Sequence, residues 1–331
     1  MRKTPIQTKP HRLTPLVPAF RLTPPKVGDV AYIVAPAGPF DRTLFWRGLG
    51  FLAQSFRLRW SNSVFARRGF LAGSAEQRTA DLHRALTCPE ARLVVCARGG
   101  VGAADLLDDS LNDTLDAAAS NAKWLVGFSD ITALHVRFNQ RGWPSLHASN
   151  VTTLGVGCAA VRERWLSHVL DPWAERRWGL ETLYPGTVTG TLFGGNLAVI
   201  HDLCAAGQWA APPNTVLFLE EVAEPPYRIY RMLQALRRGA HLRNVVGLVV
   251  GQVSLSNPGL HRRTAREVVA QLCAEWQLPS AWGLPSGHEL QVNHPLTLGA
   301  PVRLEAGAAA HLPSNSIDNS AVQRSAQLTT L

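Results

Sequence analysis

The sequence predicts an α/β fold in two styles: a first half built on a helix-covered parallel sheet, and a second half of mixed strands and helices. Three observations carry this. Short apolar runs alternate with amphipathic stretches up to Gly142, the pattern of parallel strands joined by crossover helices. The alternation is lost after about residue 170. At 46 % apolar and 17 % charged over 331 residues, the chain has enough apolar material for a sizeable core and is not a disordered one. Its length corresponds to two domains or one large one.

In order, Val27, Gly28 and Asp29 read as a turn that opens the folded part. Residues 30–34 are an apolar strand stopped by Ala35 and Pro36. Residues 44–54 read as helix and 56–60 as strand. Residues 75–86 form a helix, with Leu82 and Leu86 on its apolar side and Ser74 as N-cap. A strand at 92–96 runs into Arg98, Gly99, Gly100, Val101 and Gly102, and residues 103–108 open another helix. Residues 124–128 are a strand and 131–140 a helix ended by Gly142. Pro172, Trp173, Trp178, Pro185 and Gly186 mark a linker or irregular region. Beyond it, 187–192 alternates like a half-buried strand and meets Gly194, Gly195 and Asn196. Residues 216–219 are a strand, and 228–238 a helix with Ile229, Met232, Leu233 and Leu236 on one face and Gly239 as its stop. A buried strand at 245–250, a helix at 262–276 and a last strand at 301–304 complete the series. The expected division is a Pro-rich leader without order (1–26), an N-terminal α/β domain (27–170), a C-terminal domain (171–312) and a loose tail (313–331).

Charge and cysteine narrow the function classes. The net charge is +9, but Arg2, Lys3, Lys9, Arg12, Arg21 and Lys26 place six of those charges in the leader. The rest has no basic excess of the kind a folded nucleic-acid-binding face shows. The leader has no apolar core of a secretory signal, and no run is long enough to span a membrane. Cys88, Cys96, Cys158, Cys204 and Cys273 are odd in number and widely spaced. They fit buried thiols in a reducing compartment rather than a disulfide framework or a zinc site. A cytoplasmic protein without metal or nucleotide cofactor is expected; after Gly100 and Gly102, Asp105 stands where a dinucleotide-binding loop needs its third glycine.

Four places could carry chemistry. Ser129, in Gly127-Phe128-Ser129-Asp130, sits where a buried strand turns into a helix. It fits a helix N-cap, the commoner role for such a serine, or a nucleophile raised above the sheet edge beside helix N–H groups. The glycine loop 98–102 fits a tight turn or a set of inward N–H donors. Glu220 and Glu221 end a strand, with Glu220 on the face of Val216 and Phe218 and Glu221 on that of Leu217 and Leu219. They fit a solvated strand end or a carboxylate that orients a histidine. His288, in a Gly/Pro loop, fits a surface residue or a base. A serine needs such a base, and the base an acid, to become a nucleophile.

Taken together, these motifs resemble the LD-carboxypeptidase family of serine peptidases. The resemblance runs through Val27-Gly28-Asp29, Leu71-Ala72-Gly73-Ser74 with Arg78 and Asp81, Arg98 to Gly102, Lys123 to Leu134, Gly194-Gly195-Asn196-Leu197, Leu219-Glu220-Glu221 with Tyr227, Arg228 and Arg231, and Gly287-His288. It implies a flavodoxin-like N-terminal domain and a C-terminal domain with a β-barrel-like sheet, commonly as a homodimer. It implies a cytoplasmic, metal-independent hydrolase with Ser129 as nucleophile, Glu220 as acid and His288 as base. The backbone amides of Gly100 and Asp130 would form the oxyanion hole. The implied substrate is a murein tetrapeptide losing its terminal D-Ala in peptidoglycan recycling. The microcin C self-immunity branch, which cleaves an aminoacyl-nucleotide toxin, is the first alternative. A non-catalytic muropeptide-binding protein is the second. Three positions depart from the family: Val101 replaces a common Tyr, Tyr230 a common Asp, and His147-Ala148-Ser149 a usual His-Gly-Pro. Val101 and the Ala148-Ser149 segment are expected to line the cleft.

Overall fold

The computed structural model describes residues 21–259, 262–307 and 325–331. The first half runs β1 (Val30–Val34), α1 (Arg42–Leu52), β2 (Arg57–Trp60), α2 (Ala75–Thr87), β3 (Ala91–Cys96), α3 (Asp109–Ala117), β4 (Trp124–Gly127), α4 (Thr132–Gln140), β5 (Ser145–His147), α5 (Val151–Val156) and α6 (Ala159–Leu170). Strands β2, β1, β3, β4 and β5 lie side by side and all parallel. Their C-terminal ends therefore open on one rim, where ligands of such sheets bind. β4 is buried along its whole length, as a strand covered on both faces must be. Local chemistry sets the helix starts. Asp41 accepts the Leu44 amide at 2.9 Å before α1, and Ser74 and Gln77 form a capping box before α2, each such cap being worth about 1 kcal/mol.

The second half runs β6 (Arg177–Tyr184), β7 (Gly186–Asn196), α7 (Leu197–Ala205), β8 (Thr215–Val222), α8 (Pro226–Arg238), β9 (Val245–Ser254), α9 (Ala265–Trp276), β10 (Ser280–Trp282), β11 (Leu296–Leu298), β12 (Pro301–Ala306) and β13 (Ala326–Thr330). Seven strands close a ring in the order β10-β6-β13-β12-β7-β8-β9, with β9 and β10 pairing in parallel to complete it. Strand alternation sorts the side chains. Val216 and Phe218 fill the ring together with Trp178, Leu192, Val249 and Leu304. Leu217 and Leu219 face outward against Ile229 and Leu233 of α8 and Val269 of α9. The same apolar cluster reaches Leu134 and Phe138 of α4, so the halves share a core, each buried aliphatic side chain contributing about 1.5–3 kcal/mol.

Several sequence expectations change here. Residues 177–184 are a strand rather than a linker, with Trp178 pointing into the ring. Its neighbouring Pro and Gly residues mark the ends of that strand. Ala103–Leu106 is one 3-10 turn, and the helix begins only at Asp109, capped by Asp108. Of the expected leader, residues 1–20 lie outside the described residues. Residues 21–26 are packed: Leu22 is buried, and the indole N–H groups of Trp173 and Trp124 donate to the carbonyls of Leu22 and Thr23, both at 2.9 Å. Of the expected tail, 308–324 lie outside the described residues, while 326–330 form β13 inside the ring. β11 pairs antiparallel with β5 and joins the first sheet, so the division at residue 170 is crossed by a strand. Cys96, Cys204 and Cys273 are buried as expected, but Cys88 is half-buried and Cys158 exposed.

Candidate active site

The corner after β4 holds a backbone strain. Phe128 is extended, and Ser129 takes φ +66°, a left-handed conformation costing a residue with a Cβ about 1–2 kcal/mol. The 3-10 turn Ser129–Ile131 then leads into α4. Neither that turn nor α4 takes a side-chain cap, so Ser129 is no N-cap. Among the described residues its hydroxyl has no hydrogen-bond partner in the protein. The neighbouring loop is shaped to fit it. A Cβ on Gly99 would lie 2.8 Å from Ser129 Cβ and 3.0 Å from its Oγ, closer than such atoms approach, so only glycine fits.

The two loops that carry Gly100 and Asp130 are bolted together. The Asp130 carboxylate, buried, accepts the Ala103 amide at 2.8 Å. Burial pushes its pKa up from the usual aspartate value, against the opposing pull of that amide and of Arg78. Arg78, fully buried, donates to the carbonyls of Pro36 at 2.7 Å and of Gly102, and pairs with Asp105 at 2.7 Å. Gly38 donates to the Gly99 carbonyl at 3.0 Å. The loops after β1, β3 and β4 are thus one rigid rim, and Gly100 holds φ +108° within it.

The acid and the base come from the second half. Glu220 is fully buried at the end of β8, and His288 Nδ1 lies 2.6 Å from its Oε2. A carboxylate can only accept, so the neutral imidazole carries its proton on Nδ1 and leaves Nε2 with a free lone pair. Burial pulls the His288 imidazolium down. The hydrogen bond and charge of Glu220, with Glu221 behind it, outweigh that and leave His288 above the usual histidine value. The His288 ring packs on Phe128, centroids 4.9 Å apart, which sets it beside the residue preceding Ser129. The other oxygen of Glu220 is buried with no partner among the described residues. An unsatisfied buried carboxylate oxygen and a strained serine in one place are costs that accumulate at working sites.

A second contact chain, not expected from the sequence, ties the halves. The Thr132 hydroxyl, at the start of α4, accepts the Asn196 amide at 2.9 Å. Asn196 Nδ2 donates to Glu221 at 3.2 Å, and Glu221 also accepts the Ala198 amide at 2.8 Å. Burial raises Glu221 above the usual glutamate value, against these amide bonds. The Gly194-Gly195-Asn196 motif was visible in the sequence; its partner, 64 residues earlier, was not.

Comparison with known proteins gives this geometry a family. Residues 31–148 match the LD-carboxypeptidase N-terminal domain, and residues 189–304 match the LD-carboxypeptidase C-terminal domain. The chain belongs to the LD-carboxypeptidase family. It is a carboxypeptidase-type peptidase in its relatives' terms. It is 36 % identical to the murein tetrapeptide carboxypeptidase of Pseudomonas aeruginosa over 57 % of this chain and 64 % of that protein. The crystal structure of muramoyltetrapeptide carboxypeptidase from Oxalobacter formigenes superposes with TM-score 0.77 at 23 % identity, over 91 % of this chain and 98 % of that one. The microcin C7 self-immunity protein MccF superposes with TM-score 0.76 at 18 % identity, over 96 % and 99 %. At those identities the two structures bear on the fold, which is the one this sequence resembles.

Within this member of the family, the positions that depart from the family pattern differ in exposure. Val101, in the glycine loop, is about half exposed (48 %). Ala148 and Ser149 are buried and do not line an open cleft. Ser149 Oγ instead accepts Asn293 Nδ2 at 3.2 Å, and Asn293 Oδ1 accepts the Gly287 amide at 3.1 Å. His147 Nδ1 lies 3.3 Å from Ser286 Oγ. The segment after β5 therefore holds the loop that presents His288. Among the described residues no group of three or more His, Cys, Asp or Glu is placed to hold a metal ion, and no helix is long and apolar enough to cross a membrane.

Proposed function

We propose that this peptidase is a cytoplasmic serine-type LD-carboxypeptidase, working as a homodimer, that removes the terminal D-Ala of murein tetrapeptides in peptidoglycan recycling. Ser129 Oγ attacks the carbonyl of the diamino acid's L-centre while His288 Nε2 takes its proton. Glu220 holds the tautomer and stabilises the imidazolium. The amides of Gly100 and Asp130 receive the oxyanion. His288 then returns the proton to the departing D-Ala amine, and a water activated by the same nitrogen hydrolyses the acyl-enzyme. The observation that supports this most is the 2.6 Å Glu220–His288 pair, packed against Phe128 beside a strained serine whose hydroxyl caps no helix.

The test is mass spectrometry of a purified murein tetrapeptide incubated with the wild type and with Ser129→Ala. The expected result is loss of one D-Ala with the wild type and a rate lower by about 10⁴–10⁶-fold with the variant. Full activity of Ser129→Ala would overturn the mechanism. Cleavage of an aminoacyl sulfamoyl adenosine in preference to the tetrapeptide would overturn the substrate.

A further inference from the structure

On the rim of the first sheet, a cavity of about 440 Å³ opens between the loop after β1 and the loop after β2. Pro39, Phe40, Val64 and Phe65 form its apolar walls, and Asp41, Arg42 and Arg67 its charged ones. Its charges are unequal in use. Asp41 is occupied by the Leu44 amide at 2.9 Å. Arg42 and Arg67 are exposed, and among the described residues neither makes an ion pair; Arg42 only lies over the Phe65 ring, 5.0 Å from its centroid. Arg98 fixes the wall by donating to the Pro39 carbonyl at 2.6 Å. The cavity is joined to the serine through contacts already described: Pro39 follows Gly38, Gly38 bonds Gly99, and Gly99 packs on Ser129.

We propose that this cavity is a subsite for a carboxylate on the acyl side of the scissile bond, bound by Arg42 and Arg67. The proposal rests on the peptidase reading above. Its warrant is reach. β4, which presents Ser129, is two strands away from β1, which leads into the cavity, a distance of about 10 Å at ordinary strand spacing. The D-Ala carboxylate lies only about one residue, roughly 3.5 Å, from the scissile carbonyl and does not span that gap. Two carboxylates of a murein tetrapeptide do: the α-carboxylate of the γ-linked glutamate and the far carboxylate of diaminopimelate. Each is roughly 8–9 Å from the scissile carbon in an extended chain, within reach of a flexible guanidinium. The apolar walls suit the methylene stem that either carboxylate ends. The two guanidiniums outnumber the single acid of the lining, Asp41, and supply the planar donors that carboxylates take best.

The experiment compares three tetrapeptides: diaminopimelate with free glutamate, diaminopimelate with the glutamate α-carboxyl amidated, and lysine with free glutamate. D-Ala release is measured with the wild type and with Arg42→Gln/Arg67→Gln. In parallel, binding of the three peptides is measured by calorimetry on Ser129→Ala and on Ser129→Ala carrying both arginine substitutions. The wild type is expected to prefer the first peptide over one of the other two by about tenfold in kcat/KM, the worth of a charge-assisted contact near the surface. The arginine variant is expected to lose that preference. Loss against the amidated peptide assigns the glutamate carboxylate; loss against the lysine peptide assigns the diaminopimelate one. A preference that survives the double substitution, or its absence in the wild type, overturns the subsite. If the wild type releases no D-Ala from any peptide, the peptidase reading falls and the binding arm decides the cavity alone. Equal affinities there, with and without the arginines, also overturn it.

Discussion

The two halves of this molecule prepare their parts of the site in different ways. The first half places Ser129 by backbone geometry: a positive φ, a glycine whose missing Cβ makes room, and loops tied by Arg78 and Asp130. The second half places His288 by a charged pair across 68 residues of chain, one member fully buried. The first arrangement stores strain in a short segment. The second stores electrostatic energy that exists only once the ring has closed. A site divided in this way works only when both halves are folded and docked, and β11, lent to the first sheet, makes the docking part of the fold.

Short of removing the serine itself, removing the electrostatic half while keeping its shape should have the largest effect. Glu220→Gln is expected to lower kcat by about 10³–10⁴-fold, because an amide no longer fixes the productive tautomer or stabilises the imidazolium. It should also shift the acidic limb of the kcat/KM profile to lower pH, since Glu220 is what lifts His288 above its usual value. A steady-state pH series on the variant checks both. An unmoved limb would break the assignment of His288 as the base.

His135 in the first half and His288 in the second should differ in sign when pH changes stability. In the first half, burial holds His135 down to about 4. Its Nε2 donates to the Gly127 carbonyl at 2.9 Å and its Nδ1 accepts from Ser145. The unfolded chain then binds the proton that the folded one refuses, so stability is full above about pH 6.5 and falls as pH drops toward 4. The size is on the order of 3 kcal/mol for this group. His288 has the opposite sign: its pair with Glu220 contributes fully below about pH 6.5 and is lost as pH rises through its raised value. Denaturant unfolding of His135→Gln between pH 7 and pH 4 should show a flatter acid slope than the wild type. An identical slope would remove His135 from the account.

How much of this was legible in the sequence follows the same division. Ser129, the glycine loop and the Ser74 cap are local, and short motifs announce local geometry. The alternation of Val216, Phe218 and Glu220 against Leu217, Leu219 and Glu221 was also readable and sorts ring interior from exterior as expected. The burial of Glu220 was not, because a carboxylate ending a strand is solvated unless another element covers it. β6 was hidden by its own boundaries, since Pro and Gly at strand ends look like a linker. β13 was hidden because its alternation is short, only Ala326 and Leu328 against Gln327 and Thr329, and its pairing with β6 and β12 supplies what composition lacks. Ser149 was visible only as a departure, and its contact with Asn293 shows what the departure does.

That contact gives a smaller effect, at the seam between the halves. Asn293→Ala removes the bonds to Ser149 and Gly287 and frees the loop beside His288. A base displaced by about 1 Å costs up to about 10²-fold, so kcat should fall by about 10–100-fold with KM nearly unchanged. Asn293→Asp, which keeps the acceptor for Gly287, should recover part of it. A change in KM alone would mean that the loop binds substrate rather than positions the base.

The smallest effect should be the same on both sides. α2 and α9 each begin with a complete capping box, Ser74 with Gln77 in the first half and Thr264 with Glu267 in the second. Ser74→Ala and Thr264→Ala should each cost about 1 kcal/mol of stability. Neither should change kcat/KM, because neither helix start touches the site. Unfolding curves measured beside kinetics separate the two readouts. If Ser74→Ala lowers activity as well, the first half transmits a loosened α2 through Arg78 to the glycine loop, since Arg78 lies four residues beyond the cap and bonds Pro36 and Gly102. If Thr264→Ala does so, α9 must steer β9 and with it the ring that carries Glu220. Equal stability losses with unchanged kinetics would place the difference between the halves in how the reacting groups are held, and not in how their helices begin.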